Sequence, residues 1–177
     1  MPTGSSTAER RKLRTRGATL VEASLVLLFF MGLLFLLIDL SWGLLAKATL
    51  QHAVRSGVRY AVTNQTGTKK DPVTGANIAL GQVDSIKQVV KKQAMGFLSD
   101  ADLNAKVFVR FYLVTGGAPQ LVTGAGSNMA GNLVVVSIEN FSLSPMVPLL
   151  RSGTPVPITV RAGDLLEGQP AGGPPPL

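Results

Sequence analysis

The sequence predicts an α+β protein: one long N-terminal helix, then a small head with a second helix and a three- to four-stranded antiparallel sheet. Three observations carry this. An uncharged apolar run, Ala23 to Ile38, leads without a proline into helical periodicity that lasts to about Val62. A second helical period runs from Gln82 to Leu98. Segments of strand character then occupy residues 105–114, 133–141 and 155–161.

The first helix reads in two parts. Between Ala18 and Leu45 only Glu22 and Asp39 are ionisable. About 20 apolar residues cross a hydrocarbon core roughly 30 Å thick, so residues 18–45 are long enough to span it. Five cations, Arg10, Arg11, Lys12, Arg14 and Arg16, precede this stretch. Positive charge on that side predicts a cytoplasmic N-terminus, with the rest of the chain outside the membrane. Beyond the span, Leu50, Ala53, Val54, Gly57, Val58 and Ala61 repeat at i, i+3, i+4, i+7. Residues 46–62 therefore continue the helix with one apolar stripe, free to pack on this chain's own head or on another subunit. A helix over 18–62 runs about 65–70 Å at the standard rise.

The head is expected over 63–167. Asn64 to Gly81 is rich in Gly, Thr, Asn, Lys and Pro and reads as a loop. In the second helix Val83, Ile86, Val90, Ala94 and Phe97 share a face, and Ser99-Asp100 ends it. In the first strand Val107, Val109, Phe111 and Leu113 alternate with Lys106, Phe108, Arg110 and Tyr112, so one face is buried. Leu121-Val122 is a candidate short strand, Leu133–Phe141 a strong one, and Ser144–Thr154 a crossing loop with two prolines. Residues 1–9 are small and polar and are expected to lack structure. The tail, 168–177, ends Gly-Gly-Pro-Pro-Pro-Leu and is expected to be extended and disordered.

Composition excludes several classes. The chain has no cysteine, so it forms no disulfide and no thiolate metal site. Its net charge of +7 falls to +3 without residues 1–17, so the basic balance belongs largely to the leader. No basic face with base-stacking aromatics is legible, so nucleic acid is not implied as a partner. His52 stands alone and reads as structural. Asp71, Asp84, Asp100 and Asp102 lack EF-hand spacing, and Gly124-Ala125-Gly126 is not followed by a helix pattern as a phosphate loop requires. No catalytic constellation is present, so a non-enzyme without cofactor or metal is expected.

The most specific signal is the junction Arg14-Thr15-Arg16-Gly17-Ala18-Thr19-Leu20-Val21-Glu22. A basic leader ends in glycine, a helix-forming apolar segment starts at once, and Glu22 lies one turn in. Glycine before a scissile bond unwinds readily and offers no side chain to clash. This junction resembles the class III signal of prepilins, cut after glycine with glutamate fifth in the mature chain. The resemblance extends further. Gly17-Ala18-Thr19-Leu20-Val21-Glu22-Ala23, and then Ala53-Val54-Arg55-Ser56-Gly57-Val58-Arg59-Tyr60, are similar to the opening and the helix-end motif of TadE-like proteins. These are minor pilins or pseudopilins of the tight-adherence (Flp-type) pilus system. Less specifically, Leu133–Val136, Ser144–Leu150 and Ile158–Ala162 look like that family's closing segments.

The resemblance implies a pilin-like fold and processing at Gly17 and Ala18 by a prepilin peptidase. It implies that Glu22 meets the N-terminal amine of a neighbouring subunit in assembly, and that Arg55, Gly57, Arg59 and Tyr60 form a membrane-proximal motif. The implied partners are other pilins or minor pilins, the pilus assembly platform and the bacterial inner membrane. The implied role is initiation, assembly or the tip of an adhesive, biofilm-forming pilus. Two alternatives stay open. Ala46-Lys47-Ala48 fits the small-x-small rule of signal peptidase I, which would release a periplasmic or secreted binding module. An uncleaved, signal-anchored envelope protein is the other. Asp39 reads as an interfacial carboxylate or a partner-pairing one, and Trp42 as an interface anchor. Arg55 and Arg59 read as a solvated face, a tether for the head, or a contact to anionic lipid headgroups.

Overall fold

The computed structural model describes residues 5–71, 73–144, 155–168 and 173–177, with side chains from residue 19 onward. Leader residues 1–4, most of the crossing loop and tail residues 169–172 lie outside the described residues. The fold is α+β, with a long apolar N-terminal helix and a small head of further helices and antiparallel sheets. The elements in order are α1 (Ser5–Val62), β1 (Thr68–Lys70), β2 (Asn77–Ala79), α2 (Gln82–Gln93), α3 (Asp100–Lys106), β3 (Val107–Leu113), β4 (Gln120–Val122), β5 (Leu133–Leu143) and β6 (Val156–Leu165). The chain divides into two compact units, residues 1–42 with 145–151 and residues 43–144 with 152–177.

In the first unit most of α1 from Thr19 onward is exposed, with Met31, Asp39 and Trp42 half-buried. Leu20, Leu28 and Phe29 are each about three-quarters exposed, and so to a lesser degree are the other large apolar residues to Leu40. A helix apolar all round is stable only in lipid or among other helices. α1 over Thr19–Val62 is long and apolar enough to cross a membrane, which fits a single-pass anchor. Two serines inside the span turn inward to the backbone. The Ser24 hydroxyl donates to Val21 O at 2.8 Å and that of Ser41 to Leu37 O at 2.7 Å. This removes polar hydrogens that lipid cannot satisfy. The helix starts at Ser5, earlier than the polar composition of residues 1–9 suggests; no proline lies between Ser5 and Val62, and Ala, Arg, Lys and Leu sustain it.

In the second unit the stripe predicted on α1 is the centre of the core. Leu50, Ala53, Val54, Val58 and Ala61 are buried with Ile86, Val90 and Ala94 of α2 and with Val107, Phe111, Val134, Val136, Ile138 and Val160 of the sheet. The stripe packs on the chain's own head. The four-stranded sheet has the order β4-β3-β5-β6 and all its pairs are antiparallel. A bulge in β5 shifts the register between Ile138 and Phe141, with Asn140 left-handed at φ 54. The extra residue restores Phe141 to the core face, where it meets Phe97 edge-on at 6.4 Å.

Four boundaries differ from the sequence reading. α2 ends at Gln93, because Met95 and Gly96 are left-handed. Ser99 starts a helix rather than ending one: it forms a capping box with Asp102 at the head of α3, so Ala105 and Lys106 are helical and the strand begins at Val107. The 64–81 segment contains the β1–β2 hairpin, whose six residues are all exposed and show no burial pattern to read. β6 runs four residues past Arg161, to Leu165, because β5 supplies partners down to Leu133. The tail also differs: its end, Gly173–Leu177, is not free, since Pro175 and Pro176 carbonyls accept hydrogen bonds from the head.

Four carboxylates outside the span, Asp71, Asp100, Asp102 and Glu139, are held below their ordinary values, and two of them, Asp102 and Glu139, show how. Lys106, at 2.7 Å, and the Ser99 cap lower Asp102 to about 2. Arg110, at 2.5 Å, and then the Ser137 hydroxyl lower Glu139. Both contribute stability above their unfolded values that is lost as pH falls through the depressed ones. The melting temperature is therefore expected to fall as pH is lowered from about 5 to 2. Asp102→Asn should flatten part of that slope while costing about 1 kcal/mol or less at neutral pH. A titration of thermal stability against pH, with the variant alongside, checks it; an unchanged slope in Asp102→Asn would contradict the assignment.

Candidate processing and assembly segment

The junction lies inside α1. Backbone residues 14–22 are helical throughout, so the Gly17–Ala18 bond is not already extended. Any peptidase acting there must unwind a turn, and Gly17 is where this costs least, since glycine is about 1 kcal/mol poorer than alanine in a helix. One turn further, Glu22 is exposed and makes no hydrogen bond or ion pair among the described residues. It shares one helix face with Thr19, Ala23, Val26, Leu27 and Phe30, which line a shallow apolar groove. The groove is the i, i+3, i+4 row of a single helix. A carboxylate on such a face is the only charge in an otherwise apolar contact surface.

The second motif divides by face. Arg55 and Arg59 are exposed, four residues apart, and make no ion pair among the described residues. His52 is exposed beside them. Gly57 is buried: a Cβ built on it would lie 2.6 Å from Val90 Cγ2, 3.5 Å from Ile86 Cγ2 and 3.8 Å from Val136 Cγ1. It seats α1 directly against Val90 and Ile86 of α2, with Val136 of β5 alongside. Tyr60 is half-buried against the core. Gln51, one residue before His52, donates from Nε2 to Arg161 O at 3.3 Å and so ties α1 to β6. The motif therefore combines a docking position, Gly57, with two outward cations.

Glu22 and the Arg55–Tyr60 block lie in different units of the chain. Asp39 and Trp42 are both half-buried near the end of the apolar stretch. Among the described residues no three of His, Cys, Asp and Glu are placed to hold a metal ion. Sequence reasoning missed one cluster, the buried amides Asn64, Gln82 and Asn128. The legible signal for Asn64 was its place just past the end of α1, where asparagine tolerates the left-handed turn that closes a helix.

Residues 17–59 match the model of a family described as TadE-like protein. The match opens on Gly17 and closes on Arg59, so it contains the Gly17–Ala18 bond, Glu22 and most of the second motif, but not the basic residues before Gly17. No curated protein and no solved structure matches the chain.

Gly57 gives the sharpest test of the docking geometry. Gly57→Ala gains up to about 1 kcal/mol of helix propensity but overpacks a contact already too short for a methyl, at a cost of about 1–3 kcal/mol. A net destabilisation of about 1–2 kcal/mol is expected, and a larger one for Gly57→Leu. Gly32→Ala, with nothing within 4 Å, is expected to be neutral or stabilising. Chemical denaturation of the detergent-purified chains checks this; equal stability of the two alanine variants would refute it.

Proposed function

We propose that this chain, TadE-like over residues 17–59, is a pilin-like subunit of a tight-adherence pilus, cut by a prepilin peptidase after Gly17. In this reading it is a minor pilin or pseudopilin acting in assembly, in initiation or at the tip of an adhesive pilus. It sits in the inner membrane as a single span, N-terminus cytoplasmic and head outside, consistent with the leader's positive charge. Its partners are the peptidase, other pilins and the assembly platform. Its role is structural rather than enzymatic and needs no cofactor.

The observation that carries the reading is Glu22. An unpaired carboxylate on a lipid-exposed face costs about 2.5–3.5 kcal/mol on insertion scales. Once the leader is cut and the helix begins at Ala18, its place near the new N-terminus offsets only about 0.3–1 kcal/mol. A residue with that deficit is stabilised by a cation brought to it. Cleavage after Gly17 creates one, the α-amine of Ala18, on every copy. Pairing between the amine of one subunit and Glu22 of the next would convert the deficit into a drive for assembly. The apolar row of Thr19, Ala23, Val26, Leu27 and Phe30 beside it suits a second helix.

The competing cut after Ala48 is disfavoured by burial. Ala46, Thr49 and Leu50 are buried, within a helix that runs unbroken past the site. Removing residues up to Ala48 would leave a ragged helix end inside the core-forming stripe. This argues against release by signal peptidase and for retention of α1.

Mass spectrometry of the mature N-terminus separates the readings: Ala18 is expected, Thr49 would support release, and an intact leader an uncleaved anchor. Gly17→Leu is expected to block processing where the peptidase is present; normal processing would defeat the proposal. Glu22→Ala is expected to be cut as usual but to enter pilus complexes at least about ten-fold less efficiently, consistent with the loss of roughly 1.4 kcal/mol or more. Undiminished incorporation would remove the role given to Glu22.

A further inference from the structure

The end of the chain, Gly173–Leu177, is seated in the head as a bound peptide would be. Its slot lies where the C-terminus of α1, the N-terminus of α2 and the loop between β4 and β5 meet. Asn128, 1 % exposed, donates from Nδ2 to the Pro175 carbonyl at 2.8 Å. The Gln82 backbone N–H donates to the Pro176 carbonyl at 2.7 Å. Gly81 backs the Leu177 carbonyl so closely that a Cβ there would collide with that oxygen.

These donors are themselves fixed. Gln82 is fully buried, and its Nε2 donates to Ala61 O and to Asn64 Oδ1, each at 3.2 Å. Its Oε1 accepts from Asn128 Nδ2 at 2.6 Å. Asn128 thus faces two acceptors, the Gln82 amide oxygen and the Pro175 carbonyl. Only the NH2 end of its amide serves both, which dictates its orientation. The opposite end, Oδ1, is buried with no partner among the described residues. An amide held at that cost is held for its donors. Asn132 braces the loop that carries Asn128, donating to Ser127 O at 2.7 Å.

The slot therefore offers N–H groups and takes carbonyls. Consecutive prolines supply carbonyls without bringing any N–H of their own, and they hold an extended form with little entropy left to lose. α2 also needs them. Its N-cap is Gly81, without a side-chain cap, and the Pro176 carbonyl satisfies the Gln82 N–H that would otherwise be orphaned.

We propose that this slot is a peptide-recognition site selective for consecutive prolines, filled in cis by the chain's own Pro174–Leu177 segment, which caps α2 and locks its start to the end of α1. The occupant is the same chain because β6 delivers the tail beside the slot. The Glu167 carbonyl accepts from Asn64 Nδ2 at 3.5 Å, and Asn64 is part of the same network. Only residues 168–172 separate the two ends, a tether short enough for an effective concentration of about a millimolar or more.

The chain has no cysteine, so Leu177→Cys carries one unique nitroxide label. In the full chain in detergent, its spin-resonance spectrum is expected to be immobilised and unchanged over a hundred-fold dilution. Gly81→Ala and Asn128→Asp should each shift most of the label to the mobile component, while Gly168→Ala, with open space around it, should not. A chain ending at Gly168 is expected to bind the peptide Gly-Gly-Pro-Pro-Pro-Leu. It should bind the peptide with alanines for prolines at least ten-fold more weakly. A mobile label in the parent, an immobilised fraction that falls on dilution, no response to Gly81→Ala, or equal binding of the alanine peptide would each overturn the proposal.

Discussion

At Gly57 the backbone of α1 lies so near the Val90 side chain of α2 that a methyl added there would collide with it. Around that point the small residues Ala53 and Ala61 flank Leu50, Val54 and Val58, and the stripe lies against Ile86, Val90 and Val136. The core of the head is therefore built on the outer part of the N-terminal helix. The head is not complete without it: the sheet buries Val107, Phe111, Val134, Val136 and Ile138 in the same cluster. A close backbone approach is sensitive to a single methylene in a way that a looser contact is not. This gives a physical reason for glycine at the centre of the Arg55–Tyr60 block, where propensity alone would choose alanine.

One helix is thus used under two solvent regimes. Up to about Leu45 its apolar residues point in all directions; from Ala46 they keep to one side and arginines take the other. The change of pattern falls where the chain divides into its two units. Each half is unstable in the other's surroundings. The first would aggregate in water, and the second would leave Arg55 and Arg59 in lipid. The pattern itself assigns the medium.

Elements with a buried face were legible for this reason. The α1 stripe, the face of α2 and the alternation in β3 are written in the spacing of apolar residues, and the structure places those residues in one core. What escaped had no such pattern. The β1–β2 hairpin buries none of its residues, so nothing in its spacing marks it as a strand pair. α3 is seven residues long and announces itself only through Ser99 and Asp102, three apart, a signal that reads equally as the end of α2. The bulge at Asn140 reverses which side of β5 faces the core, and alternation cannot foretell where it will slip. At the junction the conformation was not legible: Gly17 and Ala18 are helical, so unwinding would be part of any cut there.

The buried amides show the deepest limit. Polar composition normally argues for a loop, and glycine with proline for disorder, because such segments bury too little apolar surface to offset the entropy of ordering them. Asn64, Gln82, Asn128 and the prolines after Gly173 each satisfy that description alone. Together they join one another: hydrogen bonds of 2.6–3.2 Å link Ala61 through Gln82 and Asn128 to Pro175, and Asn128 Oδ1 is the one end left without a partner among the described residues. Low-dielectric surroundings strengthen such a set when it is complete and penalise it when it is not. Removing one member therefore costs more than its own hydrogen bond, because the rest remain buried. A polar network of this kind has no period in sequence, since its members come from four separate segments and meet only after the helices and sheet have packed. Order at the tail is then a consequence of the Gly57 contact: by bringing the end of α1 to the start of α2, that packing also creates the slot the prolines fill.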